Sequence, residues 1–142
     1  MPIDTQTAAR RFYSILEEAV RTGNVARLDD VIVPDAVDHH PDPDMKPGRE
    51  GIKEAFAGLR GVFPDLRFDI EDVLVEGDKA ALRVIAHGTQ RGPFLGFAPT
   101  NREISYTVID ILRFTPDGRL VERWGLIDEA AVRRQLEADQ HR

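Results

Sequence analysis

The chain has 142 residues, of which 42% are hydrophobic and 31% charged, and it carries a formal net charge of −6. That balance argues against a nucleic-acid partner, which wants a clustered positive surface for its phosphates, and suits a soluble protein acting on a neutral or weakly charged small molecule. The absence of cysteine rules out disulfides, thiolate zinc sites and a cysteine nucleophile.

No segment approaches the ~18 consecutive apolar residues of a membrane span. The opening "MPIDTQTAARRFYS" lacks the basic-then-apolar order of a signal peptide, so a cytoplasmic protein with no membrane partner is expected. Neither an internal repeat nor a long linker divides the sequence, and one domain spanning 1–142 is expected.

Residues 5 to 22 read as an amphipathic helix, with Phe12, Ile15, Leu16, Ala19 and Val20 at the three-and-four spacing of one face. Asp4 or Thr5 is placed to cap its start and Gly23 to stop it. A short helix from about Val25 to Ile32 follows, ending before Pro34. "DAVDHHPDPDMKPG" is then a short extended piece running into a proline-rich loop. "REGIKEAFAGLRGVF" reads as a second amphipathic helix, with Ile52, Phe56, Leu59 and Phe63 in one stripe and Pro64 as its stop.

From there the hydrophobic period changes to two, the mark of strands. "LRFDIEDVLVEG" alternates, slips phase near Asp72 as a bulge would, and turns at Gly77-Asp78 into the partner strand "KAALRVIAHGTQ". "REISYTVIDILRF" and "RLVERWGLID" form another pair, joined by the turn "TPDG". "EAAVRRQLEAD" closes the sequence as a helix. Helices first and hairpin-linked strands afterwards define an α+β class. The architecture expected is a cone, a curved antiparallel sheet with the N-terminal helices packed on one face around a pocket.

One residue conflicts with its surroundings. Asp110 stands in "YTVIDILRF" between two isoleucines, on the strand face that also carries Ile104, Tyr106, Val108, Leu112 and Phe114. An unpaired carboxylate there costs several kcal/mol or has its pKa raised. Such a group can exchange a proton with carbon or steady an enolate oxygen. An ion pair with Arg83 or Arg123 on a neighbouring strand is the structural alternative.

Several motifs in consistent order resemble the SnoaL-like polyketide cyclases, which have the nuclear-transport-factor-2-like fold. They are His87-Gly88-Thr89, "GPFLGFAPTNRE", "DILRFTPDGRLVERW", Asp128 and "RRQL", with "VPDAVDHHPDP" and "GREGIKEAF" before them. "APTNR" stands where the family usually has "PPTGR", and Asn101 tolerates positive φ well enough to keep that turn. The resemblance implies a homodimer of cone-shaped domains, an apolar pocket, no metal and no organic cofactor. It also implies ring closure by an intramolecular aldol reaction on a small apolar carbonyl compound.

The resemblance further matches Asp128 to the last residue of the W-x-x-x-D pattern and His39 to a family histidine, and it places His87 at the cavity. Asp110, Asp128, His39 and His87 are accordingly the catalytic candidates. Each has a plainer reading. Asp128 precedes "EAAVRRQL" and suits a helix N-cap. His39 and His40 are adjacent on an extended segment, so at most one faces a pocket. His87 serves equally as a buttress.

Tyr13, Phe56, Phe94, Tyr106 and Trp124 are expected to contact substrate, Tyr13 as a donor at the pocket edge and Trp124 as a wall. The histidines show no metal-ligand spacing. Isomerisation, epoxide hydrolysis through an Asp-Arg-Asp set such as Asp110, Arg83 and Asp128, and ligand binding without catalysis are the rival functions.

Overall fold

The computed structural model describes residues 2–41 and 43–137. Helix α1 (Thr5–Thr22) is capped by Asp4, whose side chain accepts from the Thr7 amide, and it ends on Gly23 at φ 82°. Its buried face is the one the spacing predicts, from Ala8 through Phe12, Leu16 and Val20. A six-residue 3-10 turn (Val25–Asp30) replaces the expected longer helix. Chain pairing begins at Ile32, because β1 (Ile32–Asp38) starts ahead of Pro34. Proline lacks an amide donor, and β1 accommodates it as an edge strand with an irregular register.

Helix α2 (Gly48–Val62) buries Ile52 fully but leaves Phe56 and Leu59 half-exposed. The reason is visible in the cavity below: these two side chains pack against the edge of the core and also line open space. Strands β2 (Arg67–Glu76), β3 (Lys79–Thr89), β4 (Glu103–Phe114) and β5 (Leu120–Ile127) follow, and α3 (Glu129–Glu137) ends the described residues. Residues 138 and 139 of the expected closing helix lie outside the described residues.

The five-stranded sheet has the order β1-β5-β4-β3-β2. Consecutive strands from β2 to β5 pair antiparallel, with Gly77-Asp78 closing the first hairpin and Gly118, at φ 85°, closing the last. The phase slip expected near Asp72 is a register shift between Ile70 and Asp72. β1 joins β5 in parallel, which needs no tight turn because almost the whole domain connects the two strands.

One sheet face and the two long helices enclose the core. Leu82, Val84, Ala86, Ile104, Tyr106, Val108, Asp110, Leu112 and Phe114 point inward, all at most 7% exposed. The outer face is different. It leaves Leu74, Ile109, Ile111 and Leu126 between 41% and 70% exposed. The fold is therefore α+β, with helices on the concave side of a curved, mixed sheet.

Candidate functional site

Between the helices and the sheet lies a cavity of about 440 Å³. Its walls are largely aromatic and aliphatic, from Phe12 and Leu16 on α1, Phe56 on α2, Phe68 on β2 and Tyr106 on β4. Phe94, from the loop between β3 and β4, completes them. Four polar side chains of this wall, Tyr13, Asp38, Asp110 and Arg123, meet at one place.

Asp110 reaches this place because β4 alternates strictly, so its parity with Tyr106 and Val108 carries it inward. It is 1% exposed, but it is not alone. Its Oδ2 accepts a hydrogen bond from the Tyr13 hydroxyl, and its Oδ1 accepts from Arg123 Nη2 at 3.0 Å. Arg123 Nη1 in turn donates to Asp38 Oδ2 at 2.9 Å. The ion-pair partner named as the structural alternative is present: both carboxylate oxygens have donors, one of them cationic. Of the two arginines named as partners, Arg123 holds Asp110, whereas Arg83 bonds Asp72 through Nε at 2.6 Å.

The backbone register makes the cluster possible. Asp38 of β1 is the Cα partner of Arg123 on β5, and Asp110 of β4 is the partner of Gly125. The guanidinium lies across Gly125, where a Cβ would collide with both Asp110 Oδ1 and the Arg123 side chain. Glycine at this position leaves the space in which the ion pair forms.

Charge follows from these contacts. Burial pushes the Tyr13 hydroxyl well above the usual tyrosine range, and the neighbouring Asp110 charge adds to it, so Tyr13 stays protonated as a donor. For Arg123, burial opposes the charge, but the Asp110 and Asp38 carboxylates outweigh it and raise its pKa. Two carboxyl groups share one guanidinium at the foot of an apolar hollow.

Among the nine sequence candidates, Tyr13, Phe56, Phe94, Tyr106 and Asp110 line the cavity. Asp128, His39, His87 and Trp124 are not on its wall. Asp128 lies just beyond β5 and caps α3, its Oδ1 accepting from the Ala131 amide at 3.0 Å; the cap reading is the one the geometry follows. His39 stacks on Trp124 with ring centroids 4.5 Å apart and bonds Glu122 at 2.8 Å. That bond is the main reason the Glu122 carboxyl titrates below its ordinary range. Both rings belong to the outer side of the sheet, where Trp124 pairs with Ile111 and also meets Lys79. His87 bonds Asp69 across the β2–β3 ladder at 2.8 Å.

His40, not His39, stands on the cavity wall. Asp38 and Arg123 were absent from the expected catalytic set. A signal for Asp38 existed: it shares the parity of the buried Ala36 and of His40 on one extended segment. Among the described residues, no group of three or more histidine and acidic side chains is arranged to hold a metal ion. No helix among them is long and apolar enough to cross a membrane.

The SnoaL-like polyketide cyclase family model matches residues 9–136. The chain belongs to the SnoaL-like polyketide cyclase family. Among solved structures, TsrD from Streptomyces laurentii is 30% identical with a TM-score of 0.82, over 96% of this chain and 98% of that one. IdmH from Streptomyces antibioticus is 33% identical with a TM-score of 0.73, over 89% and 96%. A SnoaL-like polyketide cyclase from Agrobacterium tumefaciens, at 18% identity and a TM-score of 0.75, covers 94% of this chain and 99% of its own and shares the fold. No curated protein matches the sequence.

Proposed function

We propose that this SnoaL-like protein is a cofactor-independent acid/base enzyme that closes a ring in a small apolar carbonyl compound by an intramolecular aldol reaction. One observation carries the reading: a buried carboxylate, held by a tyrosine and an arginine, opens onto an aromatic-lined cavity of about 440 Å³. An apolar guest fills the hollow and presents its carbonyl to the polar end.

Asp110 takes the proton alpha to that carbonyl, and the C–H electron pair passes into the enolate. The enolate carbon attacks a second carbonyl carbon of the same molecule. The oxygen left there regains the proton from Asp110. Arg123 and Tyr13 fix the carboxylate for this transfer, and Asp38 fixes Arg123. Phe56, Phe94 and Tyr106 hold the guest. His40 is a polar group at the wall, within the set available to meet a substrate oxygen.

A hydrolytic reading is favoured by one specific feature. Asp38, Arg123 and Asp110 form a carboxylate–guanidinium–carboxylate set, with Arg123 and Asp38 in the places that Arg83 and Asp128 were expected to fill. Such a set suits the activation of a water that opens an epoxide. The non-catalytic rival predicts an arginine-clamped Asp110 and a filled pocket; the clamp is present, whereas the cavity is open.

The test is to capture small molecules from lysate on the purified protein and analyse them before and after incubation in heavy-oxygen water. Aldol closure yields an isomer or its dehydration product without solvent oxygen, and epoxide opening yields a labelled diol. Asp110→Asn should abolish either conversion while the fold persists. Conversion unchanged in that variant would end the acid/base reading.

A homodimer is part of this proposal. The exposed apolar outer face, with Leu74, Ile109, Ile111 and Leu126, supports a second copy seated there. Sedimentation of Ile109→Glu as a monomer, against a dimeric parent, would agree with it; a monomeric parent would remove it.

A further inference from the structure

The loop between β3 and β4 carries an unusual turn at its middle. Phe94 and Phe97 exchange backbone hydrogen bonds, at 3.0 Å from the Phe94 amide and 2.9 Å from the Phe97 amide, enclosing only Leu95 and Gly96. Both enclosed residues have positive φ, 49° at Leu95 and 84° at Gly96. A two-residue turn of this kind is filled without strain by asparagine and glycine. Leucine is not such a residue, because its Cβ crowds the backbone in the left-handed region. Elsewhere in the same loop, at φ 59°, the chain uses Asn101.

A strained residue persists only where its surroundings hold it. Here Gln90 does the holding. Its side chain is fully buried, and Nε2 donates to the carbonyls of Gly92 (3.0 Å), Ala98 (3.2 Å) and Phe97 (3.3 Å). Its Oε1 accepts from the Thr100 amide at 3.0 Å and the Thr100 hydroxyl at 2.7 Å. The bonds of this side chain all run to its own loop, and they tie Gly92, ahead of the turn, to Phe97, Ala98 and Thr100 at and beyond its end. Leu95 and Phe94 are on the cavity wall.

We propose that the Phe94–Phe97 turn is the element that selects the cavity's guest, with Leu95 held in the left-handed region to meet that guest and Gln90 as the positioning residue. This rests on the reading of the cavity as a binding site, and not on the reaction carried out there. Side-chain packing alone would not demand a leucine in this backbone conformation, since a neighbouring position could supply the same apolar area.

Leu95→Asn suits the backbone and removes the apolar branch, so it separates the two roles. Binding is measured with 2-naphthol and with the bulkier anthrone, beside thermal melting. The expected result is a melting temperature no lower than that of the parent, and a ratio of dissociation constants moved about threefold or more in favour of anthrone. A lower melting temperature or an unchanged ratio would overturn the assignment, as would a parent protein that binds neither probe.

Gln90→Met should move the same ratio while lowering the melting temperature; an unchanged ratio would remove its positioning role. Asp110→Asn is the control for the reaction. If that variant still turns over captured substrate while the Leu95 ratio shifts, the chemistry is wrong and the turn's role stands.

Discussion

Arg123→Met tests whether the polar cluster acts as a single electrostatic unit. The guanidinium is 3.0 Å from Asp110 Oδ1 and 2.9 Å from Asp38 Oδ2, and those side chains are 2% and 7% exposed. With charge centres roughly 4 Å apart and an effective dielectric constant near 20, each attraction is about 4 kcal/mol before desolvation is subtracted. Removing the arginine strands two nearly buried carboxylates, and breaking such a pair costs about 3–5 kcal/mol. Methionine keeps much of the packing, so the loss measured is electrostatic.

Urea unfolding at pH 7 gives that cost, and Asp110→Asn with the double variant completes a cycle. A coupling of about 2 kcal/mol or more is expected. A variant within about 1 kcal/mol of the parent at pH 7, or a coupling near zero, would refute the reasoning.

Gly125→Ala should disturb the same unit by shape alone: its Cβ enters the space of Asp110 Oδ1 and the guanidinium, costing about 1–3 kcal/mol in thermal or urea unfolding and lowering turnover with it. Asp128→Ala removes the α3 cap and should cost about 1 kcal/mol while leaving turnover close to the parent's; a collapse of turnover without loss of fold would return Asp128 to the catalytic set. Both tyrosines have pKa values raised by burial, Tyr13 also by the Asp110 charge. Their contribution to stability is whole below the unfolded value of about 10 and is lost as pH rises beyond it. Absorbance at tyrosinate wavelengths should therefore stay low through that value and climb together with unfolding, and a free titration of either ring near it would contradict the burial.

The outer-face histidines show how close sequence reasoning came and where it stopped. Alternation restricted one of His39 and His40 to the cavity, but the phase depended on the irregular pairing of β1 with β5 between Ile32 and Val37. Asp128 and Trp124 lie off the cavity wall for a related reason. They share a parity, yet that parity faces outward on β5, and Asp128 already lies past its end.

What the sequence determined by itself is local. The 5–22 helix with its Asp4 and Gly23 ends, the slip at Asp72, the Gly77 and Gly118 turns and the inward direction of Asp110 all follow from interactions within a few residues or one strand. The motif order also carried the family. The tertiary structure decided the site's charge balance. Asp38 meets Arg123 across 85 residues, and Tyr13 meets Asp110 across 97. Those contacts exist because β1 docks in parallel on β5 and α1 crosses the concave face, and strand register over such distances leaves no periodic trace along the chain.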